Sequence, residues 1–306
     1  MESKEITFIV QGPVTTSDSL IKVLESIKLN YKDSKVVLST WDNVEISDEI
    51  SCLCDNVIQS PDPGCNVPIG YPPINVNRQL VSSRVGLETV KTKYTIKTRT
   101  DIVFTNDNLL HLSFFNESPI PGYKLGESRV IISNLNSRDH SSGLKVAFWL
   151  SDFIFFGLAN DVYEMFNINN MDESVSGYFK NDIHPVYFLD KSHVSQYTPE
   201  TYIAYSNFKK INKTNILHDT YYYDHELFCE YEKYLIGNFV VYNSEQLGIE
   251  SLKYRFPMIG RKIRFDHHDW IMLLNKYTNR KYKLGLTYYT NLLLKELKVR
   301  FLGRKI

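Results

Sequence analysis

The 306-residue chain lacks several features that would assign it to a particular class of protein. Basic and acidic residues number 35 each, so no overall charge favours nucleic acid as a partner. No run reaches the roughly 18 apolar residues of a membrane span, and the opening MESKEITFIV contains no cleavable leader. The four cysteines lack paired CxxC spacing. These absences predict a cytoplasmic protein, and the length allows one large α/β domain.

A β-α-β unit opens the chain. Residues 6–10 form an apolar run that predicts a buried parallel strand, which a helix over 15–30 and a second buried strand over 35–41 follow. Ligands of open α/β sheets bind at the carboxyl ends of the strands, so polar residues at these ends are candidates for binding. The candidates in this unit are Gln11, Thr40 and Asp42.

A short strand at Val57-Ile58 leads into an irregular loop over residues 60–73. The loop SPDPGCNVPIGYPP has five prolines and two glycines, which exclude regular structure. Long irregular loops in compact domains are often functional. The alternation of strands and helices predicts a parallel sheet with helices on its faces.

The central stretch puts a helix and a strand directly before a carboxylate. Apolar residues at helical spacing predict a helix over 76–90, and β-rich residues predict a strand that begins at Tyr94 and continues past Asp101 to Phe104. Arg99 and Asp101 then lie at a strand end, where they could hold a metal ion or a charged ligand. A surface turn with a local Arg–Asp pair is the alternative.

The second half is less regular between residues 105 and 145, apart from a strand near 129–132. A hydrophobic strand is then predicted over 148–157, and it carries Asp152. A buried aspartate costs several kcal/mol unless it is paired or ligated, which suggests a functional role. The alternative places Asp152 at a strand end, where it caps a helix.

Further helices are predicted over 160–166 and from Thr198, the N-cap of a helix whose first turn contains Glu200. Acidic residues often occupy a first turn because they suit the helix dipole, so Glu200 has a structural alternative. A strand is predicted over 239–242. Adjacent His267 and His268 follow, and at most one of them can be a ligand.

The C-terminal stretch 275–306 has nine basic residues against the single Glu296, interleaved with aromatic and leucine residues. This composition predicts either an amphipathic helix on an anionic membrane surface or a helix packed on the domain. The predicted division is therefore a catalytic-type domain over 1–270 and a basic amphipathic extension over 271–306.

Five pieces of the sequence resemble the WavE lipopolysaccharide-synthesis family of bacterial glycosyltransferases. The resemblance covers the first half of the chain, with a looser likeness to about Tyr205. The pieces are FIVQGPV (8–14), VVLSTWDN (36–43), DPG (62–64), NVNRQLVSSRVGLETVKTKYTIKTRTD (75–101) and WLSDFIFFG (149–157).

This resemblance implies an α/β, GT-A-like, Rossmann-type fold with a mixed, mainly parallel sheet flanked by helices and a C-terminal helical extension. It implies transfer of a sugar from a nucleotide-sugar donor to a glycan acceptor of the bacterial surface, either free or lipid-linked. The acceptor-side carboxylates are Asp152 and Glu200. Arg99 stands where an Asp-X-Asp motif would have its first carboxylate, so Mg²⁺ or Mn²⁺ would be held by Asp101, with His268 as a late ligand, or replaced by Arg99.

A departing diphosphate also needs positive charge. The cations nearest the motif are Arg78, Arg84, Lys97 and Arg99. Two other functions stay open: a non-catalytic module that binds a nucleotide sugar or glycan, and a sugar phosphotransferase. The latter would need a second carboxylate beside Asp101 to hold two metal ions.

Overall fold

A computed structural model describes residues 1–14, 17–66, 73–116, 120–141, 143–180, 194–212, 214–253, 264–279, 281–282, 290 and 293. The first half alternates strands and helices, as the sequence predicts. Its elements are β1 (Ile6–Gln11), α1 (Ser17–Asn30), β2 (Lys35–Trp41), α2 (Asp48–Leu53), β3 (Asn56–Ser60), α3 (Val76–Leu87), β4 (Tyr94–Arg99) and β5 (Ile102–Phe104).

The second half has shorter strands and a group of helices. Its elements are β6 (Val130–Ser133), β7 (His140–Ser141), β8 (Leu144–Lys145), β9 (Ile154–Leu158), α4 (Ala159–Phe166), α5 (Glu173–Ser176), α6 (Pro199–Phe208), α7 (His225–Asn238), β10 (Phe239–Tyr242), α8 (Ser244–Leu247), β11 (Ile249–Ser251) and α9 (His267–Tyr277). Single 3₁₀ turns lie at Ser3–Glu5 and Asn108–His111.

Seven strands form one sheet in the order β10-β6-β9-β4-β1-β2-β3. Strands β4, β1, β2 and β3 are parallel, and so are β10 and β6, whereas β9 runs antiparallel to both β4 and β6. The predicted fold class, α/β with a mixed, mainly parallel sheet flanked by helices, is confirmed. Every residue of β1 is buried, which agrees with the apolar run of a strand covered on both faces.

The antiparallel pairing of β4 with β9 has a consequence for the polar residues around them. Thr98, near the carboxyl end of β4, pairs with Ile154, the first residue of β9. The segment that leads into β9 therefore reaches the same edge of the sheet as the carboxyl ends of the parallel strands.

Two predicted strands differ from those observed. The strand through Asp101 is interrupted, because residues 100–101 form a turn and β5 leaves the main sheet to pair with β11. The strand over 148–157 begins only at Ile154, and Asp152 precedes it. Phe148 has a φ of 60°, which is incompatible with a strand at this position. The helix predicted over 76–90 ends at Leu87.

Helix α9 crosses the predicted boundary between residues 270 and 271, and most of the basic stretch 275–306 lies outside the described residues. The two-part division stays a prediction. In the described part of the chain, no helix combines the length and the apolar composition that a membrane crossing requires.

The close approach of α3 to the sheet depends on Gly86. A Cβ at this position would lie 2.6 Å from Ile9 Cγ2 and 3.1 Å from Ser39 Cβ. We expect Gly86→Ala to lower the free energy of unfolding by about 1–3 kcal/mol, because overpacking would push α3 away from β1 and β2. Urea unfolding would measure the loss.

Gly157→Ala is the matched control, since the nearest side-chain atoms, in Val130 and Val162, are 3.4 Å from its added Cβ. This variant should lose less than half as much stability as Gly86→Ala. Equal losses would contradict the close-packing explanation.

Candidate active site

A cavity of about 770 Å³ opens at the carboxyl ends of the parallel strands. This is the edge of an open α/β sheet where ligands bind. Its described wall comes from the strand ends, the start of α3, the segment before β9 and the start of α6. Among the lining residues are Gln11, Gly12, Trp41, Asn43, Asp62, Arg78, Gln79, Arg99, Thr100, Asp101, Asp152, Tyr197, Glu200, Tyr221 and Lys253.

The turn after β4 presents Arg99 and Asp101 as a bidentate ion pair. Arg99 Nε donates to Asp101 Oδ1 at 2.9 Å, and Nη2 donates to Oδ2 at 2.8 Å. The guanidinium also lies 4.4 Å from the centre of the Phe153 ring. The predicted Arg–Asp pair thus exists, but it lies in the cavity wall and is only partly exposed.

The tips of β1 and β4 are fixed to each other beside this pair. Thr100 donates through its backbone N–H to the carbonyl of Gln11 at 3.2 Å and through Oγ1 to the carbonyl of Pro13 at 3.1 Å. Gly12 between them has a φ of 131°, which favours glycine. A Cβ there would lie 3.1 Å from Thr100 Oγ1. The turn is therefore held rigidly against the neighbouring strand.

A second bidentate pair lies on the other side of the cavity. Arg78, in the first turn of α3, donates to both carboxylate oxygens of Asp62 at 2.8 and 2.7 Å. The hydrogen bonds from Arg78 lower the pKa of Asp62. Gly64 N–H also donates to this carboxylate at 2.9 Å, which fixes the loop after β3.

Asp152 is the most deeply buried carboxylate of the cavity wall, with 7% of the residue exposed. Its Oδ1 atom is buried and has no hydrogen-bond partner among the described residues. Leaving such an oxygen without a partner costs about 1–3 kcal/mol or more, since the group has lost its water. A ligand hydroxyl in the cavity could supply the missing hydrogen bond.

Glu200 lies in the first turn of α6, as predicted. Thr198 is the N-cap and accepts a hydrogen bond from Thr201 N–H at 3.2 Å, while Asn136 donates to Glu200 Oε1. Desolvation at the cavity wall, together with the negative charge of Asp152, raises the pKa of Glu200 to about 7. Two carboxyl groups therefore lie close together in the cavity wall, and burial favours the protonated form of Glu200.

Six of the predicted site residues line the cavity. They are Gln11, Arg78 and Arg99, predicted to bind the donor; Asp152 and Glu200, predicted to be catalytic; and Asp101, the predicted metal ligand. Their roles remain predictions.

Three predicted donor-binding residues do not line the cavity because of where they lie on β2, after β2 or along α3. Thr40 is fully buried, and strand alternation turns it to the face opposite Ser39, whose hydroxyl contacts α3. Asp42 is exposed to solvent. Arg84 lies six residues after Arg78, about 9 Å further along α3, and donates to the carbonyl of Ile168.

Lys97 and His268 are also elsewhere. Lys97 precedes Arg99 by two residues and is completely buried behind the strand tip. His268 is half-exposed near the start of α9, which packs on edge strand β10. That strand lies three positions from β4, or about 14 Å across the sheet. His268 is not among the described residues that line the cavity with Asp101.

Sequence reasoning did not assign roles to Asp62 and Asn136. Asp62 stands in the DPG piece, where an Asp followed by Pro-Gly predicts a turn that a side-chain carboxylate can close. Asn136 has a φ of 64°, and nothing in the surrounding LNSR indicates that it would contact Glu200.

Comparison with known proteins agrees with the resemblance in the sequence. Residues 6–302 match the family described as WavE lipopolysaccharide synthesis. Because the match spans nearly the whole chain, the protein belongs to this family. A search of curated proteins found no match.

Three solved structures illustrate the more distant likeness. The catalytic domain of Drosophila β1,4-galactosyltransferase 7, in complex with xylobiose, has 9% identity and a TM-score of 0.31, over 55% of this chain and 54% of that chain. S. aureus TarS has 10% identity and a TM-score of 0.41, over 94% and 45%. A glycosyltransferase involved in glycosylation of the major capsid of PBCV-1 has 8% identity and a TM-score of 0.34, over 78% and 81%.

This chain spans about half the length of the first two structures. At such identities and TM-scores, the likeness carries no argument about activity.

The raised pKa of Glu200 predicts how stability depends on pH. Burial raises the pKa of Glu200 in the folded protein to about 7, above its ordinary value of 4.5. Stability from this group is fully present below pH 4.5 and is lost as the pH rises through 7. The loss should be on the order of 2 kcal/mol.

We expect Glu200→Gln to remove most of this loss and to be more stable than the unmodified protein at pH 8. Urea unfolding at pH 5 and pH 8 would measure both. Glu88→Gln, at an exposed position, should keep the original pH dependence. If Glu200→Gln shows the same dependence of stability on pH as the unmodified protein, another group causes that dependence.

Proposed function

We propose that the protein is a glycosyltransferase that moves a sugar from a nucleotide-sugar donor to a hydroxyl of a bacterial surface glycan. The observation that carries this proposal is the carboxylate of Asp152, a residue of the cavity wall whose buried Oδ1 atom has no hydrogen-bond partner among the described residues. Membership of a lipopolysaccharide-synthesis family supports the choice of substrate class.

In this mechanism the donor diphosphate lies near the end of β4. Arg99 is the side chain best placed to exchange its carboxylate partner for phosphate, which a guanidinium binds in the same bidentate way. Tyr197 and Tyr221 also line the cavity, and their rings would contact the acceptor.

Asp152 acts as the general base. Its carboxylate accepts the proton of the acceptor hydroxyl while the hydroxyl oxygen forms a bond to the anomeric carbon and the bond from that carbon to the diphosphate breaks. Glu200, whose Oε1 accepts a hydrogen bond from Asn136, lies beside Asp152 and influences the electrostatic potential at its carboxylate. Such a base contributes about 10²- to 10⁴-fold to the rate.

The described side chains alone would not complete the coordination shell of a divalent cation. No group of three His, Cys, Asp or Glu side chains with metal-binding proximity exists among them, and both oxygens of Asp101 accept from Arg99. Mg²⁺ and Mn²⁺ nevertheless bind through one or two carboxylates when phosphate and water complete the shell. Asp101 would therefore hold the ion, which would neutralise charge on the leaving diphosphate.

The charges of the cavity favour such an ion. The described lining residues include four acids (Asp62, Asp101, Asp152 and Glu200) and three bases (Arg78, Arg99 and Lys253). With Glu200 protonated, three acids balance the three bases, so the negative charge of a bound diphosphate would be left for Mg²⁺ or Mn²⁺ to neutralise, and the ion belongs to the proposal. We further propose a cytoplasmic location and a lipid-linked acceptor, with the stretch 275–306 in contact with the inner membrane.

The first experiment is a panel of nucleotide sugars, tested by thermal shift and then by product formation with acceptor glycans. Ligand stabilisation depends on concentration relative to Kd, so weak donors would register. At least one donor should raise Tm and support transfer. Binding without turnover would instead indicate a non-catalytic module.

Asp152→Asn should lower kcat by about 100-fold or more, because an amide cannot accept the hydroxyl proton. Donor binding should persist, since the amide keeps the shape of the carboxylate. Asp172→Asn, at an exposed helix N-cap that asparagine also serves, is the matched control and should retain activity. Undiminished kcat in Asp152→Asn would exclude this residue as the base.

Asp101→Ala should abolish the metal-dependent part of transfer. We expect EDTA to inactivate the unmodified enzyme and Mn²⁺ to restore its activity. Mn²⁺ should not restore activity to the variant. In the presence of nucleoside diphosphate, electron paramagnetic resonance should detect no Mn²⁺ binding to the variant. Asp107→Ala, at an exposed carboxylate, should behave like the unmodified enzyme. Full transfer in EDTA would favour Arg99 in place of the metal.

A further inference from the structure

We propose that Lys97 is a positioning residue, which fixes the main chain of Asp152 so that the carboxylate faces the cavity. The inference rests on the proposed function for its kinetic consequence, although its structural consequence can be measured without any substrate. It replaces the role predicted from the sequence, in which Lys97 contacts the donor.

The contact is direct and buried. Lys97 Nζ donates to the carbonyl oxygen of Asp152 at 2.7 Å, from a side chain with no exposed surface. Gln79 Nε2 donates to the same oxygen at 3.4 Å. Two donors on one carbonyl define the orientation of that peptide, and hence the direction in which the Asp152 side chain leaves the main chain.

The surroundings of Lys97 are apolar. Its ammonium lies 5.6 Å from the ring centre of Phe155 and 5.0 Å from that of Phe166. Burial lowers the pKa of Lys97 to about 7, and both the ammonium and the neutral amine can donate to a carbonyl. An apolar side chain would suit this packing better, because a buried amine loses its hydration.

The neighbouring residue is fixed independently of Lys97. Ser151 N–H donates to Ser137 Oγ at 3.0 Å, and the hydroxyls of Ser151 and Ser133 are 2.9 Å apart. These bonds hold the chain before Asp152. The peptide between Asp152 and Phe153 carries the carbonyl that Lys97 binds, and its N–H group, from Phe153, donates to Ser151 Oγ at 3.4 Å.

The test compares two substitutions on the same face of β4. Lys97→Met keeps an unbranched, buried side chain but removes the hydrogen-bond donor. We expect kcat to fall about tenfold or more and the KM for the nucleotide sugar to stay within about twofold. Tm should stay the same or rise. Thr95→Val removes a buried hydrogen bond to the carbonyl of Thr7. It should show the opposite pattern, with a lower Tm and unchanged kcat.

Crystal structures of the unmodified protein and Lys97→Met provide a readout that needs no activity. The Asp152 peptide should turn in the variant, which displaces the carboxylate. If Lys97→Met does not fold, Lys97→Gln, which keeps a shorter N–H donor, takes its place and should give a smaller loss of kcat and a smaller displacement.

Each outcome bears on the inference. An unmoved Asp152 overturns it, as does wild-type kcat, or a loss of kcat that merely follows a loss of Tm as in an ordinary destabilised variant. If the unmodified protein transfers no sugar from any donor, the proposed function fails, and the position of Asp152 alone then decides the role of Lys97.

Discussion

The antiparallel pairing of β9 with β4 is the constraint on which the site depends. In a fully parallel sheet, the chain entering β9 would begin at the amino edge, far from the end of β4. Because β9 runs the other way, Ile154 pairs with Thr98, and Asp152 arrives beside Arg99 and Asp101. One reversed strand therefore adds a buried acid to an edge that already collects the polar ends of the parallel strands.

Residues 151–153, directly before β9, lie outside the ladders of the sheet, and side chains bind their main chain. Serine hydroxyls fix Ser151, and Lys97 and Gln79 bind the carbonyl of Asp152. Buried polar groups of this kind specify one arrangement when they are satisfied, since each missing bond is costly in a low-dielectric interior. The same arrangement leaves Asp152 Oδ1 buried and, among the described residues, without a hydrogen-bond partner.

Much of the fold follows from local patterns in the sequence. The apolar runs of β1 and β2 and the capping sequence Thr198-Pro199-Glu200 predict the correct elements, because buried strands and helix caps depend on nearby residues. The cavity edge is predictable for the same reason, since it follows from the direction of parallel strands.

Other features depend on contacts between distant parts of the chain. The start of β9 at Ile154 and the departure of β5 to pair with β11 are set by tertiary partners, although both segments are rich in β-forming residues. A strand tip presents only alternate residues to a cavity, and here Trp41 lines the cavity whereas Thr40 does not. In the sequence, charge alone does not distinguish Lys97 from Arg99. The structure separates them, because Lys97 is completely buried whereas Arg99 is partly exposed.

The carboxyl groups of Asp152 and Glu200 interact unfavourably when both are ionised. Asp152 and Glu200 lie close enough for the charge of one to raise the pKa of the other, and one Asp152 oxygen has lost water without gaining a donor. Functional sites often retain such unfavourable arrangements because a ligand relieves them. A hydroxyl bound here would donate to the unpartnered oxygen, so the free energy that the fold gives up at Asp152 would be recovered only when an acceptor arrives.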